Sequence, residues 1–156
     1  MEPIIGIIEK NSVKIAQALN IILADEFLLY TKTKNAHWNL DKNDIHRKLM
    51  LFKEQYEKLE VIMDSIAEHI HATGYNIPAT LEIFLELEHI AEQFQVKDTG
   101  IDFIADLLQD HKSIIIRLQN RAVYFGNELQ ESGAGYYILQ LIKMHQDMIA
   151  SLMIYL

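Results

Sequence analysis

Cysteine is absent from the 156 residues. Disulfides, thiolate zinc sites and cysteine nucleophiles are therefore excluded, and nothing points to an oxidising compartment. Proline occurs only twice, which suits a helix-rich chain. No apolar run approaches the ~20 residues that a membrane-spanning helix needs. The start also lacks the charged residue, apolar stretch and small-residue cleavage site of an export signal. These absences predict a cytoplasmic protein with no membrane partner. Positive charge is scarce too: 14 Lys and Arg stand against 22 Asp and Glu, for a net charge of −8. No basic cluster lies at either end, since the first cation after Met1-Glu2-Pro3-Ile4-Ile5-Gly6 is Lys10 and the sequence closes at Leu156 without a lysine-rich tail. Electrostatic binding to DNA has no footprint here. The acidic surplus attracts cations or simply keeps the protein in solution.

What is present is hydrophobicity in a helical pattern. Half the residues are apolar, and the length suits one domain, 1–156, around one core. The most regular stretch follows Asn35-Ala36-His37-Trp38-Asn39. Ile45, Leu49, Phe52, Tyr56, Leu59, Met63, Ile66 and Ile70 recur in steps of four and three, the period of one buried helical stripe. Asn43 or Asp44 can cap its start, and Gly74 can end it in the left-handed conformation. About 28 residues at 1.5 Å each give a helix of roughly 40 Å, a length typical of a bundle. Beside the stripe, His46, Lys53, Glu57, Glu60, Asp64, Glu68 and His71 share one polar sector. Asp64 and Glu68, one turn apart, are spaced as helical bundles space carboxylates around iron or manganese. On spacing alone, a solvated flank with pairs such as Lys53 with Glu57 outweighs a metal site.

Three more long helices follow from the same period. Asn11 or Ser12 caps a first helix with Ile15, Leu19, Ile22, Leu23, Phe27 and Tyr30 on its inner face, running to His37 and Trp38. Asp98 or Thr99 starts a third, through Ile101, Ile104, Leu107, Leu108, His111, Ile115, Leu118, Ala122 and Phe125, which ends near Gly126. A fourth runs from about Tyr136 after a break at Gly133 to Gly135. Between the second and third, Thr80 caps a short segment over Leu81 to Leu87. The predicted class is all-α: a four-helix bundle with a short extra helix in a connection long enough to cross the bundle end to end.

Leu19 to Asp25, Leu29-Tyr30, Asn35 to Asn39, Phe52 to Tyr56 and Asp64-Ser65-Ile66-Ala67-Glu68 resemble, in order and without gaps, the Dps proteins, small ferritins of bacterial stress defence. The likeness covers nearly the whole chain, with the last two helices fitting more loosely. It implies a ferritin-like bundle and a homo-oligomer, a hollow dodecameric shell. Such a shell takes up Fe(II), oxidises it with peroxide or oxygen, stores ferric iron and protects against oxidative stress. It implies a ferroxidase site shared by two subunits across a two-fold axis. His37 matches the histidine of the first helix, Asp64 and Glu68 match the carboxylates of the partner subunit, and Trp38 matches a tryptophan packed near the metal. Carboxylates stabilise Fe(III), and imidazole binds Fe(II).

Several positions depart from that pattern. Leu49 stands where the family usually has histidine, and Lys53 where it has an acid. An ammonium there would repel iron and could pair with Asp64 and Glu68 of a second copy. The alternative reading is thus a shell protein whose ferroxidase site is closed. If two copies of the long helix run antiparallel with Lys53 facing Asp64, His46 faces His71 as an accessory metal pair, although two exposed histidines are the plainer expectation. Where the family tends to read Thr-Ala-Asp at a three-fold pore, this sequence has Ala134-Gly135-Tyr136, and Tyr136 would narrow the pore and remove its negative ring. A DNA-compacting role is disfavoured by the missing basic tails. His111 and His145 fit packing or a hydrogen bond inside the bundle, and His69 and His89 fit the surface.

Overall fold

The structure, a computed structural model, describes residues 9–40, 45–87 and 99–156. The proposed caps Asn43, Asp44 and Asp98, the side chain of His46, and His89 lie outside the described residues. The described residues form four long helices: α1 (Glu9–Trp38), α2 (Ile45–Ala72), α4 (Gly100–Val123) and α5 (Ser132–Met153). The short α3 (Leu81–Leu87) lies between α2 and α4. No strand occurs among the described residues.

Each amphipathic helix turns its apolar stripe inward. Leu19, Ile22 and Leu23 of α1 meet Phe52, Leu59, Ile66 and Ile70 of α2, Ile104 and Leu118 of α4, and Ile138 and Leu152 of α5 in one core. Each such side chain, fully withdrawn from water, contributes about 1.5–3 kcal/mol. The polar sector of α2 predicted from sequence faces solvent throughout its described side chains: Lys53, Glu57, Glu60, Asp64, Glu68 and His71 are all exposed.

Residue pairings give the topology. Tyr30 meets Glu60 and His37 meets Tyr56, so α1 and α2 are antiparallel. Lys32 reaches Asp106 and Asp110 while Asp25 pairs with Arg117, which makes α1 and α4 antiparallel as well. Gln55 with Met148 and Ser65 with Tyr137 set α2 antiparallel to α5. Asn11 with Leu129 and Glu26 with His145 keep a nearly constant offset, so α1 and α5 run parallel. It follows that α2 and α4 point the same way. A tight turn cannot join them, which is why the chain needs its long crossover.

The helix ends follow local chemistry, with three departures from expectation. Thr99 caps α4 through a full capping box with Asp102, and Thr80 accepts from the Ile83 N–H ahead of α3. Gly74 adopts φ +87 just past α2, the left-handed conformation a side chain would resist. The first departure is at α1, which begins at Glu9 rather than at Asn11. Asn11 is buried instead, and its amide donates to the Leu129 carbonyl and to Glu131 Oε1. Second, the end of α4 passes into a π-helical turn, Tyr124–Glu128, which buries Phe125. Third, the break before α5 lies at Leu129 to Glu131, where Gln130 takes φ 56, and not at Gly133 to Gly135, which form the first turn of α5. Gly135 is needed there for space. A Cβ on it would stand 3.3 Å from the Gly126 nitrogen and 3.4 Å from the Ala122 oxygen. Ile101, predicted inward, is exposed.

Candidate metal centre

His37 occupies the last turn of α1. Its ring packs edge-on against Tyr56 of α2, centroids 5.4 Å apart. Tyr56 in turn meets Tyr30 edge-on at 6.2 Å, and the Lys34 ammonium lies 3.6 Å above the Tyr56 ring. The Tyr30 hydroxyl donates to Glu60 Oε1 at 2.8 Å. Burial, reinforced by the Glu60 carboxylate, pushes the Tyr30 phenol up to about 12. The aromatic platform orients the imidazole and leaves its Nδ1 enclosed without a hydrogen-bond partner. Partial burial lowers the pKa of His37, and the positive charges of Lys34 and Lys53 lower it further. A neutral imidazole is the form that binds a metal. The same two ammoniums, however, oppose a cation approaching it.

Asp64 and Glu68 stand exposed on the outer face of α2 and, among the described residues, make no ion pair. They do not share a level with His37. Tyr56, which touches His37, precedes Asp64 by eight residues, roughly 12 Å along the helix, and Glu68 by roughly 18 Å. One chain therefore cannot bring the imidazole and these carboxylates onto a single ion. Among the described residues, no group of three or more His, Asp or Glu converges as a metal site.

Lys53 lies 3.7 Å from Glu57, one turn away, in a solvent-exposed pair. Such a pair contributes only about 0–1 kcal/mol, so Lys53 is not committed to it. Leu49 is half-buried, Trp38 is 71% exposed, and Tyr136 is 64% exposed. His71 is exposed. His69 is also exposed, but it is fastened: its Nδ1–H donates to the Ser65 carbonyl at 2.8 Å and its ring stacks 3.6 Å from that of Tyr137.

A second polar group lies inside the bundle. Glu26, His145 and His111 form a buried hydrogen-bonded chain. The histidines were expected to pack or bond in the interior, and they do. Glu26 was not expected, though its spacing carried the signal. It follows Ile22 by four and Leu23 by three, which sets it on the apolar stripe of α1.

Up-down-down-up helices with a long crossover define a ferritin-like bundle. In agreement, the ferritin-like domain family profile matches residues 16–153. An uncharacterized low temperature-induced protein of Nostoc sp. is 30% identical over 92% of this chain and 80% of its own length. The DNA protection during starvation protein of Helicobacter pylori is 26% identical over 83% of this chain and 92% of its own. The crystal structure of the Dps protein of Vibrio cholerae O1, described as one of the ferritin-like diiron-carboxylate proteins, superposes with a TM-score of 0.88 at 22% identity, covering 97% of this chain and 94% of that one. The chain belongs to the ferritin-like family, and the relatives and solved structures it is similar to include Dps proteins. Among the described residues no helix is long and apolar enough to cross a membrane.

Proposed function

We propose that the protein is an iron-sequestering Dps-type shell subunit, with Fe(II) as its substrate and ferric iron as its cargo. The observation that carries this is the division of the ligand set. An oriented imidazole of lowered pKa with an unpartnered nitrogen, His37, and two carboxylates one turn apart that make no ion pair among the described residues, Asp64 and Glu68, all stand at the outside of one helical hairpin. They lie too far apart to serve one ion within a chain. A second copy with its α2 antiparallel would bring the carboxylates of one subunit to the histidine of the other, and homo-oligomerisation then completes the site. Two Fe(II) ions each yield one electron to hydrogen peroxide. The O–O bond breaks, and two protons are taken up to give two waters. Carboxylates favour the Fe(III) that results.

Lys34 and Lys53 support a second reading, a shell whose ferroxidase site is muted. Both ammoniums act on His37, and either would disfavour Fe(II) at the same place. Direct DNA binding is not part of either reading, because a net charge of −8 gives it no electrostatic footprint. Tyr136 near the start of α5 would close, rather than charge, a three-fold pore.

Anaerobic Fe(II) titration of the purified assembly, followed by peroxide while ferric absorbance is recorded, tests the pair of readings. Rapid, saturable oxidation by the parent supports the active site. Oxidation no faster than without protein, with activity gained by Lys53→Asp combined with Leu49→His, supports the muted shell. No iron uptake by either protein overturns both.

A further inference from the structure

Three titratable side chains meet in the middle of the bundle, away from the outward-facing groups. Glu26 of α1, His111 of α4 and His145 of α5 are each 0% exposed. His145 stands between the other two: its Nε2 lies 2.8 Å from Glu26 Oε1, and its Nδ1 lies 2.9 Å from His111 Nδ1. At the two ends, Glu26 Oε2 and His111 Nε2 are buried and unpartnered.

Each of the two contacts needs one shared proton. Suppose His145 is neutral with its hydrogen on Nε2. His111 must then donate from Nδ1, and the Glu26 carboxylate remains an uncompensated charge in the core, an expensive state. Suppose instead that His145 holds hydrogens on both nitrogens. It then donates to Glu26 and to His111, the trio is neutral, and His111 keeps its own hydrogen on Nε2. Passing a proton from His145 to Glu26 leaves the same total, so the neutral trio has one definite proton count. One proton more, on whichever of the three it sits, gives the buried trio a net positive charge with no counter-ion, again an expensive state. Burial above all, and the neighbouring His145, already hold His111 well below the ordinary histidine value.

Among the described residues, the neighbouring groups offer no compensation. From α5, Tyr137 faces Glu26, but its phenol is pushed up to about 12, chiefly by burial, and is bonded to Ser65. From α2, the charge felt there is that of Glu68, acting on Tyr137. On the seam of α1 and α4, Asp25 is paired with Arg117, and Lys32 with Asp106 and Asp110.

We propose that Glu26, His145 and His111 form an acid-sensitive lock, tying α1, α4 and α5 together with a fixed number of protons and releasing them when the trio takes up one more. The direction follows from linkage. The unfolded chain protonates His111 near 6.5, whereas the folded chain resists it. What His111 contributes is complete above that pH and is lost as pH falls, the unfolding constant rising up to tenfold per pH unit from this one group.

Urea unfolding of the full chain between pH 8 and 5, for the parent and for His111→Asn, tests the lock. The amide oxygen of asparagine still accepts from His145 but does not titrate. The variant is expected to lose up to one power of ten per pH unit less than the parent below pH 6.5. An equal pH dependence overturns the proposal. Should the variant fail to fold, nitrogen NMR of the imidazoles in the parent decides. The trio is expected to keep its proton count until the bundle opens, and uptake of a further proton by it in the folded protein overturns the proposal.

Discussion

Asn11 ties the start of α1 to the turn that launches α5, and removing it should unfasten the end of the bundle where Tyr136 sits. Its amide is buried, 4% exposed, and donates to two acceptors that are themselves buried: the Leu129 carbonyl at 3.1 Å and Glu131 Oε1 at 2.9 Å. Between those acceptors Gln130 holds φ 56, a conformation that needs support from its surroundings. Asn11→Ala takes this donor from the buried Leu129 carbonyl and one donor from Glu131. At about 1–3 kcal/mol for a buried group left unsatisfied, the loss is about 1–3 kcal/mol. Asn11→Asp is the sharper variant. It sets a second carboxylate against Glu131, so it should be less stable than Asn11→Ala at pH 7. The sign with pH is then opposite to the usual carboxylate case. Mutual repulsion raises the folded-state pKa of one of the pair, the folded protein binds the extra proton more readily, and stability recovers as pH falls towards 5. Urea unfolding followed by circular dichroism, at one protein concentration, measures both. An Asn11→Ala variant within about 0.5 kcal/mol of the parent would refute the tie, as would an Asn11→Asp variant that gains nothing in acid relative to Asn11→Ala.

Gly135→Ala should destabilise by about 1 kcal/mol, because the new Cβ meets backbone atoms of Gly126 and Ala122 at 3.3–3.4 Å. Gly133→Ala, with open space around it, should stabilise by about 0.5–1 kcal/mol through helix propensity; thermal unfolding of the two compares them. Tyr30 and Tyr137 both have phenols raised to about 12, so their contribution is intact below pH 10 and disappears as pH climbs through 12. Replacing both with Phe should flatten the alkaline loss of stability, read by unfolding at pH 9 to 12. Asp64→Asn with Glu68→Gln should abolish saturable Fe(II) binding while leaving the helical signal unchanged, since both side chains are exposed and unpaired; calorimetry without oxygen measures this. Undiminished binding would remove both residues from the proposed site.

The sequence by itself determined which residues become helix and which face of each helix is buried. Hydrophobic period is a local property, and Phe52, Leu59, Ile66 and Ile70 reach the core just as their spacing requires. Caps whose partners lie within one turn were equally legible, as at Thr99, Thr80 and Gly74. The outward sector bearing Asp64 and Glu68 was legible for the same reason. Tertiary structure alone decided the rest, because it depends on how residues of different helices are brought together. Asn11 has the composition of a cap, and only the approach of Glu131 makes it a tie. Glu26 reads as one more helical acid until His145 and His111 close around it. The direction of α4 relative to α2, and with it the crossover, likewise follows from pairings across the bundle. The separation of His37 from Asp64 belongs with these. Only the register of α1 on α2 sets the imidazole roughly 12 Å along the helix from Asp64, the nearer of the two carboxylates, in the same chain.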